Sequence, residues 1–217
     1  MSNPKNRQDR LDQTITAIQH RFGTQGLRQG MARPVTVPHL PTGFAGLDHA
    51  LAIGGIPRGK LTVLRGALTS GKRVLAALLV AQAQRASRQS CAYLDLAGAC
   101  DAELLARCGV ALDRLFVIQP ADRREALDML LTLTERKELA CLVLDEWGSI
   151  EADREARPLA ARALDQVVQS LARSGVTLIV LDGLVAPWQG VVSAFTEKLA
   201  RTGAARIQAR TAPVFGW

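Results

Sequence analysis

The sequence predicts an α/β fold: a mostly parallel sheet flanked by helices on both faces, with an N-terminal helix and linker ahead of it. Three observations predict it. From Leu61 onward short apolar runs alternate with longer amphipathic ones, the rhythm of strand and crossover helix. The short runs, such as 91–96 and 139–144, are apolar nearly throughout, as expected of strands covered on both faces. Between one such run and a helix, LTVLRGALTSGKR at 61–73 carries the spacing G-x-x-x-x-G-K of a phosphate-binding loop.

The elements follow in chain order. Residues 11–22 place Leu11, Ile15, Ile18 and Phe22 on one face of a helix, and Gly23 ends it as a C-cap. That apolar face needs a partner, either its own domain or a neighbouring subunit. Residues 24–39, with Gly26, Gly30, Pro34 and Pro38, read as an extended linker. This divides the chain into 1–38, helix and linker, and 39–217, the core. A short helix is expected around 44–51, set among Gly43, Gly46, Gly54, Gly55 and Gly59. After the loop come a helix from Val74, a strand at 91–96, and a helix at 101–107 with Asp101 as N-cap. A strand at 115–118, a helix at 123–137 and a strand at 139–144 follow. The last elements are a helix at 158–173 opened by Pro158, a strand at 176–181, and one more strand within 204–209. Ligands of such a sheet bind at the carboxyl ends of the strands, where the loop, Asp95, Asp145 and Asp182 all fall.

The loop has a defined chemistry. Gly66 and Gly71 let the backbone turn tightly, and the N–H groups of Ala67, Leu68, Thr69 and Ser70 with the helix start can face a phosphate. Lys72 reaches the outer phosphates. The next position calls for a Ser or Thr hydroxyl to hold Mg²⁺, and here it is Arg73. Taken alone, the loop also fits a glycine-containing turn that binds nothing. Asp145, ending an apolar strand about 70 residues on, is placed as the carboxylate that orients a metal ion. Glu146 is the candidate general base; side chains alternate along a strand, so only one of the two is expected to face the site easily.

Composition narrows the classes. At 217 residues and 48% hydrophobic the chain can bury a full core. No apolar run reaches membrane-spanning length, and the polar start MSNPKNRQDRLDQ lacks a signal-like stretch, so a cytoplasmic protein with no membrane partner is expected. Cys91, Cys100, Cys108 and Cys141 lack zinc spacing; Cys91 and Cys141 read as reduced core thiols. The net charge of +7 is uneven: residues 1–60 hold eight Lys/Arg against three Asp, and 186–217 hold four against one Glu. Basic ends suit an anionic partner such as nucleic acid, and equally suit ordinary solubility.

Residues 42–48, TGFAGLD, and 54–59, GGIPRG, resemble the signature just ahead of the phosphate-binding loop in the RecA family of P-loop ATPases. The order of elements, the run 91–95 and Leu159-Ala160-Ala161-Arg162 also resemble bacterial RecA, and the likeness runs from about Leu11 to the end. It implies a RecA-like core without that family's C-terminal domain. It also implies a nucleotide site of Gly66 to Arg73 with Asp101, and an N-terminal helix that docks on a second protomer through Ile15, Ile18 and Phe22. The departures are informative. Ala97 stands where the family's catalytic glutamate is expected, Leu104 where an aromatic ring would stack on adenine, and Gly183 where a γ-phosphate-sensing glutamine would be. The segments 148–157 and 184–190 look like shortened forms of the two DNA-binding loops. Phe44-Ala45-Gly46-Leu47-Asp48 and 117–122, VIQPAD, are similar to the ImuA branch, RecA-like companions of damage-induced (SOS) mutagenesis. The resemblance implies a weak or vestigial ATP site with little use of Mg²⁺, and a role as partner of RecA or of a translesion polymerase. The alternative is a small DNA-dependent ATPase or recombinase that uses Glu146.

Overall fold

A computed structural model describes residues 4–22, 37–183 and 205–208. The chain divides into two compact units, Met1–Thr36 and Val37–Trp217. Within the first, helix α1 (Pro4–Phe22) begins seven residues before the apolar periodicity, with proline at its opening position. The Thr14 and Thr16 hydroxyls bond back to Arg10 O and Asp12 O, each at 2.8 Å. Leu11 is exposed, while Ile15 and Ile18 are half-buried. Gly23 and the linker up to residue 36 lie outside the described residues.

In the second unit β1 (His39–Leu40) and β2 (Ile56–Pro57) form a small antiparallel pair, with α2 (Ala45–Ala50) between them. Asp48 ties the start of this excursion by accepting the Thr42 N–H at 2.9 Å. Gly55 is dictated by closeness: a Cβ there would lie 2.2 Å from Leu40 O.

Among the described residues the main sheet has six parallel strands in the order β5-β4-β6-β7-β3-β8. They are β3 (Leu61–Arg65), β4 (Ser90–Asp95), β5 (Leu115–Ile118), β6 (Leu139–Asp145), β7 (Thr177–Asp182) and β8 (Ala205–Gln208). The helices are α3 (Lys72–Ala86), α4 (Ala102–Arg107), α5 (Arg123–Thr134), α6 (Trp147–Ala152) and α7 (Ala156–Ser174). Alternation along the strands splits the core into two layers. Leu142 and Leu144 of β6 pack with α5, α6 and α7, whereas Cys141 and Val143 pack with α3 and α4. Each such side chain, fully buried, contributes roughly 1.5–3 kcal/mol, which is why the strands read as continuous apolar runs.

Two expectations are corrected. Strand β5 is not covered on both faces: it is an outer strand of the sheet, and Phe116 and Val117 are 59% and 48% exposed. The segment 148–157 is not a loop. Helix α6 occupies its first half, because Trp147 and Ile150 are apolar three residues apart and bury against the core; 153–155 connects α6 to α7, which begins within the segment at Ala156. The Asp153 carboxylate accepts the Glu155 and Ala156 N–H groups at 2.8 and 3.0 Å and so starts α7. The segment 184–190 lies outside the described residues.

Candidate functional site

β3 delivers the chain to the glycine loop and α3 leaves from it. Gly71, just before α3, has φ +76°, a left-handed turn that glycine adopts without penalty. The Gly66 N–H is held by Asp182 O at 3.2 Å, and the Ser70 N–H by Ala67 O at 3.1 Å. Lys72 is 3% exposed, and its ammonium donates to Gly66 O at 3.1 Å and Asp182 O at 3.3 Å. No carboxylate lies within ion-pair distance of it among the described residues. A buried ammonium met only by carbonyl dipoles attracts an anion. The Ser70 Oγ is buried with no partner among the described residues. Lysine, loop and helix start together suit a phosphate group.

One helical position later, Arg73 crosses to the end of β6. Its Nε donates to Asp145 Oδ2 at 2.8 Å, and its terminal nitrogen lies 3.9 Å from Glu146 Oε1. The Tyr93 hydroxyl donates to the same Asp145 Oδ2 at 2.8 Å. Burial pulls the Arg73 pKa down; its hydrogen bond to Asp145, that carboxylate's charge, and smaller contributions from Tyr93 and Glu146 outweigh this and raise it. Burial first, and then the charge and hydrogen bond of Asp145, push the Tyr93 phenol far above its ordinary value, so it stays a donor. Asp145, fully buried, therefore has both donors on Oδ2, while Oδ1 has no partner among the described residues.

Glu146 departs from the alternation rule. Its φ of +67° and ψ of +53° turn the chain left-handed between β6 and α6. The strand ends at Asp145, and the turn brings the Glu146 carboxylate to the same guanidinium. Both acids meet Arg73, which corrects the expectation that only one could face the site.

The donor set does not fit Mg²⁺. A metal at Asp145 would meet a guanidinium where the motif calls for a hydroxyl, and two donors already fill Oδ2. It does suit a phosphate, with Lys72 and the loop N–H groups other than those of Gly66 and Ser70 as donors.

The other strand-end acids have structural partners. Asp95 accepts the Ala99 and Cys100 N–H groups at 3.0 and 3.1 Å and the Gln119 amide at 3.3 Å. Burial pushes its pKa up, but these bonds, with one from the Ala97 N–H, outweigh burial and hold it below the usual carboxylate range. Asp95 thus fixes the turn that carries Ala97. Asp101 caps α4, accepting the Glu103 and Leu104 N–H groups at 2.9 and 3.2 Å, and no bond joins it to residues 66–73 among those described. Asp182 is held by Arg65, whose Nε lies 2.7 Å from Oδ2 and whose terminal nitrogen makes a second contact. Cys91 and Cys141 are buried free thiols, and burial pushes Cys91 up to about 11.

The structure therefore gathers the loop, Lys72, Arg73, Asp145 and Glu146, and leaves Asp101 as a cap. Tyr93 and Arg65 escaped sequence reasoning. Both carry a signal: the chain's single tyrosine inside a buried strand, and an arginine ending an apolar one, each need a polar partner at the strand ends.

Comparison with known proteins bears on this arrangement. The family model described as RecA N-terminal domain matches residues 9–183. The chain is 33% identical over 188 residues to Protein RecA of Rubrobacter xylanophilus, covering 80% of this chain and 54% of that protein. It is 33% identical over 192 residues to Protein RecA of Acidothermus cellulolyticus, covering 82% and 55%. A mitochondrial DNA repair protein recA homolog of Dictyostelium discoideum is 39% identical over 111 residues, covering 51% and 24%. The chain spans about half the length of the bacterial relatives it matches.

Proposed function

Because this chain belongs to the RecA family, we propose that it is a RecA-like protein of bacterial DNA repair that holds nucleotide weakly, does not turn it over, and works as a cytoplasmic partner or regulator of RecA and of a translesion polymerase in SOS mutagenesis. The observation that carries this reading is the pair Arg73–Asp145, 2.8 Å apart. The chain's own cation engages the carboxylate that a hydrolysing relative would give to a metal. Phosphoryl transfer rests on positioning and charge stabilisation, and Ala97 supplies no carboxylate to orient water.

In this reading the phosphates of ATP would be held by Lys72 and the loop 66–71, through its N–H groups other than those of Gly66 and Ser70, with Arg73 supplying positive charge in place of a divalent ion. Residues 1–38 would serve docking, with Ile15, Ile18 and Phe22 facing a second copy or the end of a RecA filament. DNA contact would be weak and carried by the chain's basic ends. The second reading, a DNA-dependent ATPase with Glu146 as base, draws on the left-handed turn that brings Glu146 beside Arg73.

Calorimetry with ATP and a hydrolysis assay with and without single-stranded DNA separate the two. Expected are weak binding little changed by Mg²⁺ and abolished in Lys72→Ala, and phosphate release at background. Strictly Mg²⁺-dependent binding, or turnover that disappears in Glu146→Gln, would establish the ATPase instead.

A further inference from the structure

The cations around the phosphate-binding loop are unequally committed. Arg65, at the end of β3, is paired with Asp182 at the end of β7. Arg73 meets two carboxylates, Asp145 at 2.8 Å and Glu146 at 3.9 Å. Of the three, Lys72 alone has no carboxylate within 4.0 Å among the described residues. The loop therefore offers one uncommitted positive charge, and it is buried.

Negative charge collects at the ends of β4 and β6. Asp145 is fully buried, and its Oδ1 accepts no hydrogen bond among the described residues. Strand alternation would turn Glu146 away; a left-handed backbone with φ +67°, unfavourable for a residue with a Cβ, brings it back. Asp95 stands opposite Asp145 across β4 and β6. The field of these acids is felt nearby: after burial, the charges of Asp95, Asp145 and Asp101 push the half-buried Cys100 thiol up to about 11. In the loop motif, the group after the lysine meets the metal that bridges the second and third phosphates. In this chain the place of a third phosphate is therefore next to Arg73, Asp145 and Glu146. A divalent ion would bring two positive charges there, whereas Arg73 brings one and shares it between two acids.

Resting on the reading that this loop holds nucleotide, we propose that Glu146 makes the site selective for a nucleoside diphosphate and against the triphosphate. Two phosphates are met by Lys72 and the remaining N–H groups of the loop. A third adds negative charge beside the two carboxylates that Arg73 already serves. The repulsion is tempered by solvent, since the Glu146 side chain is 31% exposed. A like-charge contact of this kind, partly screened, sets the expected gap in affinity at about tenfold. The order is the reverse of that given by a loop built for a metal–triphosphate complex.

The test is calorimetry of the full chain with ADP and with ATP in Mg²⁺-free buffer. Thermal unfolding is the second measure, since the tighter ligand raises the Tm more. ADP is expected to bind about tenfold more tightly than ATP, a gap that narrows as salt screens the charges. In Glu146→Gln the affinity for ATP rises and the gap closes to about threefold or less, while ADP binding changes little. Glu146→Gly removes the same carboxylate, relieves the left-handed turn and serves if circular dichroism finds the Gln variant altered. The cations after residue 183, Lys198, Arg201, Arg206 and Arg210, are the same in parent and variants, so the change in ratio reports the carboxylate. ATP bound as tightly as ADP by the parent, or a ratio unchanged in both variants, overturns the proposal. Failure of both nucleotides to bind overturns it together with the reading it rests on. Phosphate release from ATP counts against the absence of turnover only; an ADP preference that closes in the Glu146 variants then still supports the selectivity.

Discussion

Replacing Arg73 by Thr puts a hydroxyl at the position where the phosphate-loop motif needs one and removes the cation that holds Asp145. Arg73 is 22% exposed and Asp145 is fully buried, so the change leaves a buried carboxylate with only the Tyr93 hydroxyl as donor. Breaking a buried ion pair costs about 3–5 kcal/mol. The partial exposure of Arg73 and the surviving tyrosine bond put this case at about 3 kcal/mol, a fall in Tm of about 10 °C for a chain of this size. Adding Mg²⁺ then raises the Tm of Arg73→Thr, because Asp145 Oδ1 and the new hydroxyl are both open to it, and leaves the parent unchanged. Calorimetric ATP binding becomes Mg²⁺-dependent in the variant alone. Thermal unfolding with and without Mg²⁺ and ATP measures all three effects. A variant as stable as the parent, or one indifferent to Mg²⁺, would refute the argument that Arg73 stands in for the metal.

Asp95→Asn turns an amide nitrogen toward one of the N–H donors that the carboxylate now accepts, a loss of about 1–2 kcal/mol. The folded pKa of Asp95 is depressed, so its contribution is complete above the unfolded value of about 3.9 and is lost as pH falls through the lower folded value. The stability gap between parent and variant, read by denaturant titration, is therefore constant at neutral pH and closes in acid; a gap that widened in acid would contradict the assignment. Ile18→Asp with Phe22→Ala should abolish self-association or capping of RecA filaments in light scattering, since apolar side chains of this kind contribute about 2 kcal/mol each before ordering costs; association that persists unchanged places the interface elsewhere.

Most of the fold was legible because buried parallel strands leave a strong imprint: β3, β4, β6 and β7 lie within a residue or two of their apolar runs. What periodicity does not encode is order across the sheet. The run LFVI is as apolar as its neighbours, yet it forms an outer strand and exposes Phe116. Helix α6 was hidden by Gly148, which reads as a loop residue; a Cβ there would come 3.3 Å from Asp182 Oδ1. The site was legible as separate residues. Lys72, Arg73, Asp145 and Glu146 stand out individually, but their union depends on α3 starting beside the end of β6 and on a left-handed Glu146. The tyrosine bond depends on β4 lying next to β6 with Asp95 opposite Asp145. These are long-range facts, and no local pattern announces them.

The Arg73–Asp145 pair also constrains how such a chain can change over time. Once the arginine is in place, mutation of Asp145 to a neutral residue leaves a half-buried guanidinium with only the more distant Glu146 carboxylate, at 3.9 Å, and mutation of Arg73 leaves a buried carboxylate. Each single step is costly, although losing both together, with apolar replacements, need not be. The acid is entrenched: selection for stability alone retains it after any metal function has gone. A strand-end aspartate that persists in descendants of this chain would then be a record of an ion pair, and its persistence would carry no information about catalysis.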